Sequence, residues 1–438
     1  MRIAEAKAAL LKDPAFVGGM RPLMEELYPI CRSITGQGVR DSLGIIKGRI
    51  GLEIAAVPTG TPAFDWTVPK EWNIREAYVE DPVGNRIVDF SRLNLHVVNY
   101  SAPYRGTVSL AELMEHLHSL PEHPDWVPYR TSYYNETWGF CMSHRQLLSL
   151  QEGDYRVVVD SSLTDGVLNY GEYLVAGETD EEVLISCHIC HPSLGNDNLS
   201  GIALATTLAD FLSRVRTRYS YRFLFIPGTI GSITWLSRNE DQVDRIAHGL
   251  VLTCIGDAGG FTYKRSRRGD ALTDRYVEYA LKQSGVAHQI VPFSPYGYDE
   301  RQFCSPGFNL PVGCLMRTPH GAYPEYHTSA DNLEFVKQAS LEESLRLCLD
   351  VVDLIESDET LVNQNPNCEP QLGRRGLYKA VGGEHRQQDF QMAVLWVLNL
   401  SDGEHSLLDI ATQSGIDFAT IRYAADRLMA VDLLRRPS

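Results

Sequence analysis

The chain has 438 residues, a formal net charge of −16 and nine cysteines. The length allows two or three domains, and the acidic balance argues against general affinity for nucleic acid or anionic membranes. No stretch is as long and apolar as a membrane span. An odd number of irregularly spaced cysteines is typical of reduced thiols, so we expect a cytoplasmic protein.

The N-terminal part of the chain shows two successive patterns. Helical periodicity covers residues 1–60, where Met20, Leu23 and Leu27 share one face. From 61 to 149 the sequence becomes rich in aromatic and β-branched residues, with hairpin-like turns. This second stretch is typical of an inserted β-rich domain.

From residue 150 to about 362, apolar strand candidates alternate with helical patterns. Such alternation predicts an α/β fold with a mostly parallel sheet flanked by helices. The candidate strands are residues 156–160, 183–186, 222–226, 249–255, 288–291 and 311–316.

The C-terminal residues 363–438 form a separate segment. A linker at 365–370 precedes three predicted helices, at 390–398, 406–413 and 418–430. This pattern is similar to a winged helix. Acidic side chains outnumber arginines here, which favours packing or dimerisation over DNA binding.

The stretch from 182 to 212 carries the clearest chemical signal. An apolar strand ends at His188, His191 follows, and a helical pattern begins near Asp197. Ligands bind at the carboxyl ends of strands in open α/β sheets. Two imidazoles and a carboxylate converging there would suit zinc. A helix N-cap is the structural alternative for Asp197.

Cys187, Cys190 and His191 also spell the motif C-x-x-C-H. That motif attaches c-type haem, and C-x-x-C alone is found in redox pairs. Haem attachment requires export, and the N-terminus shows no apolar signal segment. We therefore expect both cysteines to be small core residues.

Two further polar residues follow strand candidates. Asp257 comes after the strand at 249–255, and His327 lies in a polar segment that ends at Asp331. The order His188, Asp197, Asp257, His327 resembles the zinc aminopeptidase family, which includes the glutaminyl cyclases. It resembles in particular a bacterial aminopeptidase-like branch with an inserted β domain and a C-terminal winged helix. The resemblance implies a discontinuous catalytic domain at 1–60 and 150–362, an insertion at 61–149 and a winged helix at 363–438.

The resemblance also implies a set of metal ligands. Family members often bind two zinc ions bridged by the carboxylate that Asp197 matches. His188 and Asp257 match the other ligands of one ion, and His327 matches a ligand of the second. Only the first ligand set is complete, so we expect one Zn²⁺ ion rather than two.

The sequence departs from the family at the catalytic glutamate pair. Gly228 and Thr229 stand where the family has its general base and a metal ligand. A metal-bound water still needs a proton acceptor to attack an amide. Restoring a carboxylate with Gly228→Glu is predicted to raise hydrolysis if the backbone accepts a side chain there. The candidates for a relocated base are Glu300, Glu325 and His191. The resemblance implies that Asp299, a further catalytic candidate, matches an acidic or histidine contact near the metal or substrate.

Together these patterns predict a metal-dependent hydrolase of aminopeptidase type acting on a peptide-like or amide bond. One alternative is a degenerate metal-site protein or non-peptidase amide chemistry. Another is a regulator that senses a ligand and binds DNA through its winged helix. For the hydrolase we expect a small-molecule or peptide-like substrate and no nucleic-acid or membrane partner. The sequence leaves open whether the chain forms a homo-oligomer.

Overall fold

The computed structural model describes residues 3–377 and 384–437. The chain divides into two compact units, Met1–Leu349 and Asp350–Ser438. None of the described helices is long and apolar enough to cross a membrane.

The elements of the first unit follow in chain order. Its helices are α1 (Ile3–Leu10), α2 (Pro14–Gly18), α3 (Met20–Leu27), α4 (Gln37–Lys47), α5 (Leu110–Met114), α6 (His144–Leu148), α7 (Gly201–Leu212), α8 (Ile230–Arg238), α9 (Leu272–Ser284), α10 (Glu300–Phe303) and α11 (Gln338–Ser357), which continues into the second unit. Its strands are β1 (Glu53–Pro58), β2 (Pro62–Ala63), β3 (Trp66–Thr67), β4 (Glu71–Glu80), β5 (Arg86–Asp89), β6 (Tyr104–Ser109), β7 (Leu117–His118), β8 (Phe140–Cys141), β9 (Asp154–Thr164), β10 (Val167–Val175), β11 (Glu182–His188), β12 (Ser220–Ile226), β13 (Ile246–Leu252), β14 (Phe261–Lys264), β15 (His288–Val291) and β16 (Val312–Met316).

An eight-stranded sheet forms the centre of the first unit, in the order β1-β10-β12-β11-β13-β16-β14-β15. The four central strands β12, β11, β13 and β16 run parallel, while β10 pairs antiparallel with β1 and β12, and β14 pairs antiparallel with β16. All seven residues of β11 and of β12 are buried. Continuous burial on both faces is what parallel strands between helix layers require. The predicted α/β fold with a helix-flanked sheet is confirmed.

A second sheet contains β5, β4, β9 and β6, all paired antiparallel. The strand candidate at 156–160 lies in β9 of this sheet, so its assignment to the parallel sheet was wrong. Tyr155, Val157 and Val159 are buried while Asp154 and Arg156 are exposed. Val158 is also buried, so the alternation holds at the start of β9, where one face is solvated as is typical of antiparallel sheets. The boundaries at 60 and 150 of the inserted domain stay a prediction.

The chain between β11 and α7 differs from the predicted helix start. Gly195–Ser200 forms a buried π-helical turn, and α7 begins only at Gly201, with Ser200 at its N-cap position. Asp197 lies inside this turn with non-helical φ and ψ. The alternative in which Asp197 caps the helix was therefore wrong, and its carboxylate is available for other contacts.

The second unit has its own small fold. It contains α12 (Glu384–Leu400), α13 (Leu407–Ser414) and α14 (Phe418–Met429), together with β17 (Thr360–Asn363), β18 (Asp402–Ser406) and β19 (Leu434–Arg435). The strands form an antiparallel sheet in the order β18-β17-β19. In the described residues, these three helices and the three-stranded sheet are the arrangement of a winged helix, as the sequence predicts.

Candidate metal centre

The predicted site lies where the central strand β11 ends. His188 is the last residue of β11, whose neighbours β12 and β13 run parallel to it. The loops that follow these strands meet at one edge of the sheet, which is the usual ligand edge of an α/β fold.

Three buried side chains converge at this edge. His188 Nε2 lies 2.8 Å from Asp197 Oδ1 and 3.0 Å from His191 Nδ1. His191 Nδ1 lies 3.5 Å from the same carboxylate oxygen. All three residues are at most 5% exposed. We call His188, His191 and Asp197 the main cluster.

The distances within the main cluster fit a bound zinc ion. Tetrahedral coordination at the usual Zn–N and Zn–O distances places ligand atoms ~3.3 Å apart. The three separations of 2.8, 3.0 and 3.5 Å lie around that value. Two imidazole nitrogens and one carboxylate oxygen are also a donor set that zinc accepts while leaving a position open.

The protonation states in the main cluster suit metal binding as well. Burial lowers the pKa of His188 to about 4, although the neighbouring Asp197 opposes this effect. Burial alone would raise the pKa of Asp197, but His191, His188 and His327 bring it well below its usual value. A neutral His188 imidazole beside an ionised Asp197 carboxylate is the combination of forms that binds metal ions.

Distant parts of the chain hold the turns of the main cluster in place. The Asp331 carboxylate accepts hydrogen bonds from the backbone N–H groups of Asn196 and Asp197, at 2.5 and 3.0 Å. The buried Arg32 donates through Nε to the carbonyl oxygen of His191 at 3.0 Å. These bonds fix the backbone from which His191 and Asp197 project.

His327 approaches the other oxygen of the shared carboxylate. Its Nε2 lies 3.0 Å from Asp197 Oδ2, whereas His188 contacts Oδ1. His327 adopts a φ of 55°, a conformation that non-glycine residues rarely take outside functional or tightly held sites. Asp197 thus has a histidine on each oxygen, the placement that the resemblance implies for a bridging carboxylate.

Asp257 lies outside the main cluster. His188, Asp197 and Asp257 do not form a group of ligand atoms within 4.8 Å of one another in the part of the chain that the structure describes. Asp257 instead accepts hydrogen bonds from Gly259 N and Thr318 Oγ1 on Oδ1, and from Asn196 Nδ2 and Thr318 N on Oδ2. The structure therefore brings His191, rather than Asp257, to His188 and Asp197.

A family model described as "Domain of unknown function (DUF4910)" matches residues 21–358, which is more than half of the chain. This chain belongs to the DUF4910 family. A winged helix-turn-helix model matches residues 359–436, in agreement with the fold of the second unit.

Two matches from Clostridium acetobutylicum are similar to this DUF4910 chain over nearly its whole length. One is a protein provisionally named as a polysaccharide biosynthesis protein with an aminopeptidase-like domain. It is 53% identical over 418 residues, which are 95% of this chain and 96% of that protein. The other is a crystal structure provisionally described as a peptidase, with 50% identity and a TM-score of 0.91. The aligned residues make up 99% of this chain and 98% of the chain in that crystal structure.

More distant structures share the fold alone. A Bacillus subtilis zinc aminopeptidase matches with a TM-score of 0.56 and 12% identity, covering 77% of this chain and 93% of that chain. A Shewanella amazonensis peptidase M28 precursor matches with the same TM-score and identity, over 81% and 96% of the two chains. The resemblance to zinc aminopeptidases is confirmed for the fold.

Tyr298, which the sequence reading missed, fills the space beside Gly228. A Cβ atom on Gly228 would lie 2.0 Å from Tyr298 Cε1. The Tyr298 ring packs against His188 with centroids 4.1 Å apart, and its hydroxyl lies 3.4 Å from His191 Nε2. Glycine followed by a distant tyrosine gives no local signal, so only the packing shows that an aromatic ring lies where the resemblance implies a carboxylate.

The three predicted catalytic carboxylates have different surroundings. Asp299 is buried, with Oδ1 accepting from Ser232 at 2.8 Å and Oδ2 without a hydrogen-bond partner among the described residues. Burial raises the pKa of Asp299 to about 7. Glu300 is buried in an ion pair with Lys264 and accepts from the Tyr298 backbone N–H. Glu325 is half-buried, two residues before His327.

The two cysteines of the C-x-x-C-H motif lie in the core of this DUF4910 structure. Cys187 and Cys190 are both fully buried and form no disulfide. Burial raises the pKa of Cys190 to about 12 and that of Cys187 well above its usual value. Reactive cysteines need thiolate character and access, so both behave as core residues.

Proposed function

We propose that this chain is a metal-dependent hydrolase of aminopeptidase type that cleaves a peptide-like or amide bond. The observation that carries the proposal is the main cluster: two imidazoles and a carboxylate, buried at the ligand edge of an aminopeptidase-like sheet. The name of the Clostridium relative points to polysaccharide biosynthesis. A small, amide-bearing precursor used in that process is therefore the substrate class that we favour.

The proposed cofactor is one tightly held Zn²⁺ ion. His188, His191 and Asp197 would hold it, and His327 would contact it or the substrate from the second oxygen of Asp197. Bound zinc lowers the pKa of a coordinated water and polarises a carbonyl group. Asp257 keeps a supporting role, because its four hydrogen bonds hold Asn196 and the loop after β16.

Asp299 is the carboxylate best suited to accept a proton. A general base works best with a pKa near the operating pH, and burial gives Asp299 a pKa of about 7. The ion pair with Lys264 makes Glu300 a positioning residue, since its carboxylate also receives the Tyr298 N–H. Glu325, two residues before His327, remains a second candidate.

Tyr298 would orient His191 and present a proton donor. Burial raises the pKa of its phenol well above the usual value, so the hydroxyl keeps its proton at neutral pH. When His191 Nδ1 is a ligand, its Nε2–H points to the phenol oxygen 3.4 Å away. The Tyr298 hydroxyl would then donate its hydrogen bond to Cys190 Sγ, 3.5 Å away, or to a substrate oxygen.

The remaining predictions about organisation belong to the same proposal. We keep the discontinuous catalytic domain at 1–60 and 150–362, the insertion at 61–149 and the winged helix at 363–438. A cytoplasmic location is supported by the nine cysteines, none of which forms a disulfide in the described residues. Packing or self-association, rather than DNA binding, is the proposed role of the winged helix.

Metal analysis tests the proposal directly. After dialysis against a weak chelator, we expect about one divalent ion per chain by elemental analysis, because the main cluster supplies three ligands. The loaded protein should then hydrolyse aminoacyl anilides or N-acyl amino sugars. Two retained ions per chain, or a protein that does not bind zinc, would contradict the expected single tight site.

Replacing Asp299 with asparagine should separate activity from stability. Because the folded pKa is raised from 3.8 to about 7, the wild-type free energy of unfolding falls as pH rises between those values. The titration of Asp299 alone should make the free energy of unfolding about 2–3 kcal/mol lower at pH 8 than at pH 5. Asp299→Asn removes that dependence and lowers hydrolysis by about 10²–10⁴-fold.

Urea unfolding at both pH values and single-turnover rates check this expectation. Asp65→Asn, which changes an exposed aspartate, is the matched charge control. Unaltered hydrolysis by Asp299→Asn would move the base assignment to Glu325.

A further inference from the structure

A second group of ligand-type side chains lies beside the main cluster. Cys254 follows β13 by two residues, and His320 follows β16 by four. The ligand atoms of Asp197, Cys254 and His320 all lie within 4.8 Å of one another. Asp197 and Cys254 are buried, and His320 is half-buried. We call these three residues the thiol cluster.

Hydroxyl groups surround the sulfur and the imidazole of the thiol cluster. Tyr323 Oη donates to Cys254 Sγ at 3.5 Å, and Thr253 Oγ1 lies 3.6 Å from the same sulfur. The Thr253 hydroxyl is also 3.2 Å from His320 Nε2. Hydrogen bonds to a ligand sulfur and to a ligand imidazole are the outer contacts that metal sites usually contain.

The backbone supports a specific role for Cys254. Its φ is 47°, in the left-handed region that residues other than glycine seldom occupy. Such conformations persist where the surrounding structure holds them, and they concentrate at functional sites. At Cys254 this backbone conformation accompanies a sulfur that lies within 4.8 Å of the ligand atoms of Asp197 and His320.

We propose that Asp197, Cys254 and His320 bind a second divalent cation, of the thiophilic class that includes Zn²⁺, Co²⁺ and Cd²⁺. Thiolate and imidazole ligands select such ions over Mg²⁺, Ca²⁺ and Mn²⁺. On binding, the Cys254 thiol releases its proton to solvent and the sulfur donates an electron pair to the ion. The proposal rests on the proposed function only in that Asp197 belongs to both sites.

The second ion should bind more weakly than the first. Two divalent cations would share the single carboxylate of Asp197, so their mutual repulsion opposes double occupancy. We expect at least about a tenfold difference between the two dissociation constants. Dialysis against a weak chelator would then remove the second ion and leave the first in place.

Cobalt titration tests this site without any enzyme assay. Metal-free full-length protein is titrated with Co²⁺ under argon with a phosphine reductant, in a Cys368→Ser background that removes the exposed cysteine. The first equivalent should give only the visible absorption of a site with nitrogen and oxygen ligands. The second should add near-ultraviolet thiolate-to-cobalt charge-transfer absorption.

Variants assign the charge-transfer band to its ligands. Cys254→Ser should abolish the band and weaken the second equivalent by more than about 100-fold while sparing the first. Cys314→Ser, which alters a buried cysteine of β16 outside both clusters, should retain the band. His320→Asn provides the same test if Cys254→Ser does not fold.

The two proposals fail in different ways. Absence of the charge-transfer band at saturating Co²⁺, or a band unchanged in Cys254→Ser, would overturn the second site alone. Absence of the visible absorption at the first equivalent would overturn the main cluster as a metal site, and a remaining Cys254-dependent band would still support the thiol cluster.

Discussion

Replacing Asp197 with asparagine is expected to remove the tightly bound divalent ion from the protein. Asp197 is fully buried, and its two oxygens face His188 at 2.8 Å and His327 at 3.0 Å. An amide of the same shape keeps the packing but carries no negative charge. Because even changes to residues that only support metal ligands cost about 10–100-fold in affinity, this variant should lose more than about 100-fold. Competition with a chromophoric chelator measures the effect.

Two further aspartates make this experiment discriminating. Asp257→Asn affects the residue that the sequence placed in the ligand set and that the structure places behind Asn196. We expect it to weaken metal binding by at most about 10–100-fold while the ion still binds stoichiometrically. Asp274→Asn alters a buried aspartate bonded to Tyr263 and Ser266, away from both clusters, and should leave the affinity unchanged.

The outcomes separate the two ligand sets. If Asp257→Asn abolished binding as completely as Asp197→Asn, the triad that the resemblance implies would hold, and the main cluster would be incomplete as described. An ion retained with full affinity by Asp197→Asn would contradict both assignments.

Introducing a glutamate at position 228 is expected to damage the fold rather than restore a catalytic base. The added Cβ alone would lie 2.0 Å from Tyr298 Cε1, well inside contact distance. Tyr298 cannot move freely, since its ring packs on His188 and its N–H is bound by Glu300. Overpacking in a rigid interior usually costs about 1–3 kcal/mol or more, and this clash is severe, so we expect a loss of at least about 3 kcal/mol by urea unfolding.

Suitable controls show whether the Tyr298 ring causes the loss. Gly307 is exposed, with open space around its Cβ position, so Gly307→Glu should change stability by no more than about 0.5 kcal/mol. Combining Gly228→Ala with Tyr298→Ala should recover part of the stability lost in Gly228→Ala alone, because the clashing ring is removed. A Gly228→Glu variant with wild-type stability and faster amide hydrolysis would instead revive the idea of an empty glutamate position.

The sequence alone determined the kind of fold and the edge on which the site lies. Apolar runs such as that of β11 alternate with helical periodicity, and this local pattern is sufficient to predict a helix-flanked sheet. The positions of His188 and Asp197 relative to that strand were also predictable from the sequence, because the two residues are only nine positions apart. The winged helix followed from the same local information.

Only the tertiary structure decided which polar side chains meet. Cys254 and Asp257 lie three residues apart in the loop that follows β13. Hydrogen bonds from Asn196 and Thr318 hold the Asp257 carboxylate outside the main cluster, whereas Cys254 lies close to Asp197. Tyr298 reaches Gly228 across seventy positions of sequence, and His320 joins the site from another loop. Such contacts depend on turn conformation and on packing between distant segments, which hydrophobic periodicity does not encode.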